Sequence, residues 1–339
     1  MGSLLAKINQ KLTWAIPIAM VLGFAFGFSF DASPLKAGIV PLTLLMVYPM
    51  MVNLNVRKVL EGGDGKAQVV AQVINFAVVP FFALGLGRLF FPDRPYLVLG
   101  LLLAALVPTS GMTISWTGLA KGNVEAAVKM TVVGLTLGSL ATPLYLQFLL
   151  GESIGFDFAR VAQQIGLVVF LPMAAGYLTR RFLVGRWGEE VFRSYWSPRF
   201  PPYSTLGVLG IVFAAVALKA KAGAASPQLV VGILIPLLIL YLVNYALSTA
   251  VGRTLLPRGD AIALVYGTVM RNLSIALAIA VNAFGPQGSE AALVLSIGYI
   301  VQVQSAAWYV RFTDRVFGPP AGAVVSPHAR RAPAGAPTQ

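Results

Sequence analysis

The stretch "GTVMRNLSIALAIAV" at residues 267–281 places one guanidinium, that of Arg271, in a long apolar run. No other charged residue lies within ten positions on either side. Arg271 follows Asp260 by eleven residues, or ~16 Å along an α-helix, about half of a hydrocarbon layer ~30 Å thick. The side chain is too short to reach either interface from that depth. The fold therefore depends on whether this run spans a membrane.

The composition predicts a polytopic membrane protein. The 339 residues are 57% hydrophobic and 11% charged, with a mean hydropathy of +0.79, whereas an average soluble domain is about 25% charged. Apolar stretches of about 20 residues, the length that crosses a bilayer, recur along the chain. Cysteine is absent and the only histidine, His328, lies in a Pro/Ala/Gly-rich tail. We therefore expect no cofactor and no metal site.

The hydropathy pattern predicts ten transmembrane spans. They are placed near 13–30, 36–54, 67–91, 95–120, 123–150, 158–183, 204–224, 227–252, 260–284 and 288–312. Most of the 25 basic residues then fall on the side of the two termini, and the opposite loops hold only Lys36, Arg88, Arg94, Arg160, Lys219 and Lys221. This bias predicts a cell (inner) membrane protein with both termini cytoplasmic. It also accounts for most of the net charge of +13 without a nucleic-acid partner.

The boundary near 151–157 separates five predicted spans from five, and two related halves with an odd number of spans would be inverted repeats. The longest predicted connection, 184–203, follows span 6. The predicted organisation is a first repeat plus span 6 over 1–183 with the repeat boundary near 151–157, the connection, spans 7–10 over 204–315, and a disordered cytoplasmic tail over 316–339. Trp187, Tyr195 and Trp196 lie among arginines in the connection. That pattern favours a segment at the lipid headgroup level, with a docking site for a partner as the alternative.

Span 4, "LLLAALVPTSGMTISWTGLAKG" at 101–122, carries a helix-breaking Pro108 and Gly111 around two hydroxyl residues. Such a break is tolerated in a membrane where the segment lines a protein-enclosed cavity. The alternative is a proline kink whose hydroxyls bond back to their own helix. Span 9 is the matching span of the second half, and it contains Arg271. That side chain either faces a polar cavity and acts on a charged species, or binds carbonyls at a helix junction.

Ten spans with interrupted fourth and ninth helices resemble the superfamily of bile acid/sodium symporters and arsenite permeases. The segments "LLMVYPMMVNLNVRKVL" at 44–60 and "IALAIAVNAFG" at 275–285 are most similar to the arsenite-permease branch. The segment "VPTSGMTISWTGLAKGNVEAAVKMT" at 107–131 resembles both branches, and its "LAKGN" is closest to the symporters. The resemblance covers about 10–315.

This resemblance implies an all-α fold of two inverted five-helix repeats, with discontinuous helices 4 and 9 that cross. Spans 1, 2, 6 and 7 would form a panel that moves against a core of the remaining spans. A small-molecule solute would bind near the crossing, and the candidate binding residues are Thr109, Ser110, Gly111, Arg271, Asn272, Ser274 and Asn75. Asn75 occupies a position where symporters have a sodium-ligating amide, and sodium-site hydroxyls survive at Thr113 and Thr131.

The chain also departs from both branches of the superfamily. The span-4 cysteine of arsenite permeases is replaced near Thr109, and their span-9 glutamate is missing at about Ser274. The span-9 glutamate and glutamine with which symporters bind sodium fall near Gly267 and Arg271. Two more sodium-site positions have become Ile114 and Ala127. Because a guanidinium and Na⁺ carry the same charge, we hypothesise that Arg271 replaces a bound cation electrostatically.

These observations favour a secondary active transporter of a small anionic or polar solute, by alternating access, with Na⁺ or H⁺ as the coupling ion or with sodium-independent transport. The alternatives are an arsenite or antimonite efflux permease and a non-transporting membrane sensor. An enzyme is disfavoured because no predicted span contains Cys, His, or an Asp or Glu well inside it. Lys129, in span 5, either extends to the cytoplasmic interface or provides a second cation near the core.

Overall fold

The computed structural model describes residues 12–54, 63–154, 157–224 and 227–319, and all regular structure there is helical. The N-terminal residues before 12, part of the predicted boundary at 151–157 and the predicted tail from 320 onwards lie outside these ranges. Within them the helices are α1 (Leu12–Ser29), α2 (Ile39–Val52), α3 (Gly65–Phe90), α4 (Pro95–Leu106), α5 (Gly111–Leu119), α6 (Val124–Ile154), α7 (Phe158–Ile165), α8 (Leu171–Val191), α9 (Pro201–Ala224), α10 (Pro227–Leu255), α11 (Arg258–Val269), α12 (Leu273–Tyr309) and α13 (Thr313–Phe317).

Several of these helices are long and apolar enough to cross a bilayer. Five such stretches occur among the described residues, namely Gly65–Phe90, Val124–Gly151, Val161–Leu218, Gln228–Leu255 and Leu273–Tyr309. Shorter apolar helices cover Trp14–Ser29, Ile39–Val52 and Pro95–Leu106. Many apolar side chains point outward, such as those of Phe148 and Leu242, which are 82% and 70% exposed. An apolar exterior around an apolar interior is what a multi-pass membrane protein requires.

Two of the longest stretches change direction inside. At Gly285 the backbone has φ +55°, and Pro286 follows. The Ser274 and Tyr299 hydroxyls hydrogen-bond each other, although a straight helix would hold these residues ~37 Å apart. α12 therefore folds back at Gly285 as two antiparallel helices. A second bend lies at Gly188, where φ is +83°, and the rest of the predicted connection 184–203 is largely helical.

The helices form two packed groups. α1, α2, α8 and α9 pack mainly on one another, and glycines allow their close approach. A Cβ at Gly207 would lie 2.5 Å from the backbone nitrogen of Met46, and one at Gly176 would lie 2.6 Å from the carbonyl carbon of Met51. The other group contains α3, α4, α5, α6, α10 and α11, and α12 packs on both groups.

Candidate functional site

The helical path is interrupted twice, and the two interruptions lie against each other. α4 ends at Leu106 and α5 begins at Gly111, while α11 ends at Val269 and α12 begins at Leu273. Pro108 and Arg271 form an antiparallel β-bridge. The Asn272 amide donates to the Val107 carbonyl over 2.8 Å, so the bridge needs no amide proton from the proline. Both breaks thereby satisfy backbone groups that have no helical partner.

The first break is held by its own polar side chains. The Ser110 hydroxyl accepts from the Met112 amide over 3.2 Å, and the Thr113 hydroxyl accepts from the Ser110 amide over 3.2 Å. This reciprocal cap starts α5. Thr109 has φ +64°, an uncommon conformation for a β-branched residue. Its Oγ1 lies 3.2 Å from the Thr131 carbonyl on α6.

Two glycines of α6 make room for the first break. A Cβ at Gly134 would lie 2.9 Å from Thr109 Oγ1, and one at Gly138 would lie 2.6 Å from Pro108 Cδ. The pair forms a small-xxx-small spacing, which lets a membrane helix approach backbone closely. The first break can therefore lie this close to α6 only because these two residues have no side chain.

We expect Gly138→Ala to displace the first break. The added methyl would also lie 3.0 Å from the Leu106 carbonyl oxygen, and overpacking of this kind costs about 1–3 kcal/mol. Gly85→Ala on α3 is the matched control, because a Cβ there meets no atom within 4 Å and the change only improves helix propensity. Melting temperature and solute flux of the purified variants would check this: Gly138→Ala should lower both. Equal behaviour of the two variants would contradict the tight approach.

Arg271 is buried at the crossing, the point where the two breaks lie against each other, with only 3% of its surface exposed. Its Nη1 donates to the carbonyl of Ala105 over 3.2 Å, in the last turn of α4. Such terminal carbonyls lack helical donors and form the negative end of the helix. Nη2 is buried and has no hydrogen-bond partner within the described part of the chain. The guanidinium thus binds one helix end and keeps one donor group free.

The sequence left two arrangements open for Arg271, a polar cavity and a helix junction. Protein encloses the guanidinium, because the first break and α12 pack over it. The contact with Ala105 is the junction arrangement that was the alternative. A cavity of about 410 Å³ lies at the fold-back of α12, beside Asn282 and Gly285.

Gln302 on α12 is a residue that the sequence analysis missed. Its Oε1 accepts from the Arg271 amide over 2.8 Å, and its Nε2 donates to the Arg271 carbonyl over 3.1 Å. The Tyr241 hydroxyl also donates to Oε1, over 2.9 Å, and Gln302 is fully buried. One amide side chain therefore replaces both helical hydrogen bonds that Arg271 loses in the break. The signal available in the sequence was an amide within the apolar run "YIVQVQSAAW" at 299–308.

The remaining predicted residues of the second half and of α3 surround the same crossing. Asn272 caps α12 by accepting from the Ile275 amide over 3.2 Å. Ser274 hydrogen-bonds Tyr299 on the returning arm of α12. Asn75 lies in a π-helical segment of α3 and donates to the Gly267 carbonyl over 3.0 Å, while its Oδ1 is buried without a partner among the described residues.

The hydroxyls predicted as ion ligands, those of Thr113 and Thr131, form hydrogen bonds to the helices. Thr113 completes the cap of α5, and Thr131 donates to the Ala127 carbonyl over 2.7 Å on its own helix. Gly111 is exposed, and a Cβ there would meet no atom within 4 Å. Each of these two hydroxyls therefore has a protein partner, and their role as ion ligands stays a prediction.

Lys129 has a partner that the sequence did not predict. Its Nζ lies 3.0 Å from Asp64 Oδ2, and the residue is 4% exposed. Asn123 donates to Asp64 over 3.1 Å and to Asp260 over 2.7 Å. The side chain therefore extends to the helix starts, where an acidic residue just before α3 pairs with it. The network joins the starts of α3, α6 and α11.

Comparison with known proteins decides what this architecture is. The model of the "Sodium Bile acid symporter family" matches residues 40–226, more than half of the chain. The chain belongs to this family. Its members are transporters and not enzymes, so the chain is a multi-pass secondary transporter. The resemblance inferred from the interrupted spans is thereby confirmed.

Individual relatives cover nearly the whole chain at low identity. The "Arsenical-resistance protein Acr3" of Alkaliphilus metalliredigens is 24% identical over 93% of this chain and 94% of its own. The "Uncharacterized sodium-dependent transporter YocS" of Bacillus subtilis is 25% identical over 87% and 89%. The "Uncharacterized protein YbaS" of the same organism is 24% identical over 93% and 94%. The relatives thus include both an arsenical-resistance protein and a transporter described as sodium-dependent.

Proposed function

We propose that this family member transports a small anionic or polar solute by alternating access, without a sodium ion, and that Arg271 takes the place of the bound cation. The single observation that carries the proposal is the buried guanidinium at the crossing, with Nη1 on the Ala105 carbonyl and Nη2 free. A charge at this depth is costly to insert, and such residues in membrane proteins are generally functional. A fixed cation at a helix end supplies there what a mobile Na⁺ would supply.

The proposal includes the architecture predicted above. Ten spans would form two inverted repeats, with α4/α5 and α11/α12 as the interrupted spans of each half. α1, α2, α8 and α9 would be the panel that moves against the other group, and both termini would lie in the cytoplasm of the cell (inner) membrane. The separate packing of the two helix groups supports this division.

Binding at the crossing would use the free Nη2 of Arg271 and the polar groups beside it. α5 and α12 both begin at the breaks, so their N-termini lie there. Helix N-termini favour negative groups. The two breaks are also lined by Thr109, Ser110 and Asn272. Ser274 lies within about one helical turn of Arg271, and Asn75 bonds to the carbonyl of Gly267, in the turn before it. An oxyanion or a polar amphipathic solute fits this donor-rich environment.

Measurement of solute flux in proteoliposomes with and without a sodium gradient tests the coupling. The solute is first identified by thermal-shift screening of the purified protein against organic anions, bile acids and arsenite, each in Na⁺ and in choline buffer. We expect the stabilising solute and its flux to be the same in both buffers within about two-fold. Uptake that requires Na⁺ would contradict the replacement of the cation, and the absence of any flux would favour a sensor.

A second candidate is export of arsenite or antimonite, which the similarity to the Acr3 proteins favours. The chain has no cysteine, and trivalent arsenic prefers soft sulfur ligands. Thr109, at the corresponding position, is fully buried and its hydroxyl lies against the Pro108 and Thr131 carbonyls. Rescue of an arsenite-sensitive cell would support the exporter. We expect no rescue.

A further inference from the structure

One face of α8 carries two arginines that flank an open groove. Leu178, Arg181, Phe182, Gly185 and Arg186 line a surface depression of about 530 Å³. Their spacing of three, four, seven and eight residues places them on one side of a helix. Arg181 and Arg186 lie at the two margins of this face and Gly185 lies between them. A Cβ at Gly185 would meet no atom within 4 Å, so the surface of the helix between the two arginine positions is open.

Neither arginine is neutralised by an acid within the described residues. The nearest acids in sequence lie beyond the bend at Gly188, where φ is +83°. Of these, Glu189 pairs with Arg180 over 2.7 Å and with Arg193 over 3.0 Å, and Glu190 lines a different depression with Arg193. The bend therefore separates these acids from the groove, which keeps the positive charge of both arginines.

The groove lies where the apolar exterior of the protein becomes basic. Leu171 and Leu178 are 58% and 61% exposed on the same side of α8, and Phe182 is 64% exposed. Arg186 lies 5.5 Å from the centre of the Trp187 ring, and Phe182 contacts that ring edge-on. Exposed leucines that give way to arginines and tryptophan mark the boundary between acyl chains and headgroups.

We propose that this groove binds one phospholipid with a net negative headgroup. The phosphate lies between the guanidinium groups of Arg181 and Arg186, and the acyl chains lie along Phe182 and Leu178. Two guanidinium groups form charge-assisted hydrogen bonds to phosphate. Charge complementarity selects an anionic over a zwitterionic lipid, because the ammonium group of a zwitterionic headgroup would be repelled by the arginines. The apolar residues select a lipid over free phosphate. α8 packs on α2, so a bound lipid would tie this helix group to one leaflet. The proposal does not depend on the solute or on the coupling ion.

Lipid binding to the full-length protein in detergent tests the proposal, by native mass spectrometry with phosphatidylglycerol and phosphatidylcholine of matched chains. Each arginine near an anionic surface strengthens binding about five-fold, so we expect a preference of ~30-fold for phosphatidylglycerol. The Arg181→Gln/Arg186→Gln variant should lose this preference. Gly185→Leu should lose it too, because the side chain fills the groove without a change of charge. Arg193→Gln, which removes an arginine beyond the bend, should keep it.

Three outcomes would overturn the proposal. These are equal binding of the two lipids, loss of the preference in Arg193→Gln to the same extent as in the double variant, and displacement of the lipid by inorganic phosphate at equal concentration. Melting temperatures of all variants in phosphatidylcholine serve as the folding control. The substituted side chains are exposed, so we expect these temperatures to be unchanged.

Discussion

Replacement of Arg271 by Met should abolish solute transport and leave the folded protein about as stable as before. The change removes one hydrogen bond, to the Ala105 carbonyl, which is worth about 1.5–3 kcal/mol when the donor is charged. It also removes a charge whose insertion at mid-membrane costs roughly 2.5–3.5 kcal/mol. The two terms nearly offset each other. A solute held by the free Nη2 would bind about 10- to 100-fold more weakly. Flux in proteoliposomes and melting temperature in detergent measure the two effects separately.

Two further variants make this result specific. Arg271→Lys keeps the charge but loses the second donor nitrogen, so transport should fall only in part. Arg88→Met is the matched control, because Arg88 also donates to a backbone carbonyl, that of Leu149, over 3.2 Å, but on the exposed surface. It should leave flux unchanged. If Arg271→Met melts at a much lower temperature and yet transports solute, the guanidinium only joins two helices and the proposed function is wrong.

The position of the first helix break could be predicted from local sequence, because its cause is local. Pro108 lacks an amide proton, and Ser110 is a strong helix cap. Residues 107–110 therefore disfavour a continuous helix in any tertiary context. Arg271 in an apolar run indicated buried charge for the same kind of reason. For the fold-back at Gly285, by contrast, the sequence predicted only that a connection lies between spans 9 and 10. The φ of +55° at Gly285 and the proline after it explain why the chain turns there.

The partners of these residues could not be predicted, because they come from distant parts of the chain. Asp64 neutralises Lys129 across 65 positions, and Gln302 reaches Arg271 across 31. Sequence also does not distinguish a hydroxyl that binds an ion from one that caps a helix. Thr113 would suit either role, and only its place three residues after Ser110 at the start of α5 shows the cap. Spacing predicts local roles, whereas pairing depends on tertiary packing.

Gln302→Leu should strongly destabilise the protein. The substitution preserves most of the volume but leaves the amide and the carbonyl of Arg271 without partners in a fully buried position. Each unpaired buried group costs about 1–3 kcal/mol, so we expect a loss of about 2–6 kcal/mol in the free energy of unfolding. The second break should then shift away from Pro108, because the β-bridge depends on the backbone conformation of Arg271. A lowered melting temperature and lost flux are the expected measurements.

Tyr241→Phe is the matched control for this prediction, because it removes only the hydroxyl that donates to Gln302 Oε1. The side-chain amide keeps both bonds to Arg271, so the loss should be that of one ordinary hydrogen bond, about 0.5–1.5 kcal/mol. The Tyr241→Phe/Gln302→Leu double variant should be no less stable than Gln302→Leu alone, because the phenol no longer has to be satisfied. Equal losses in the two single variants would mean that the tyrosine contact, and not the pairing with the Arg271 backbone, is what makes Gln302 important. Separate losses of the expected sizes would show that one buried amide holds the second break in place.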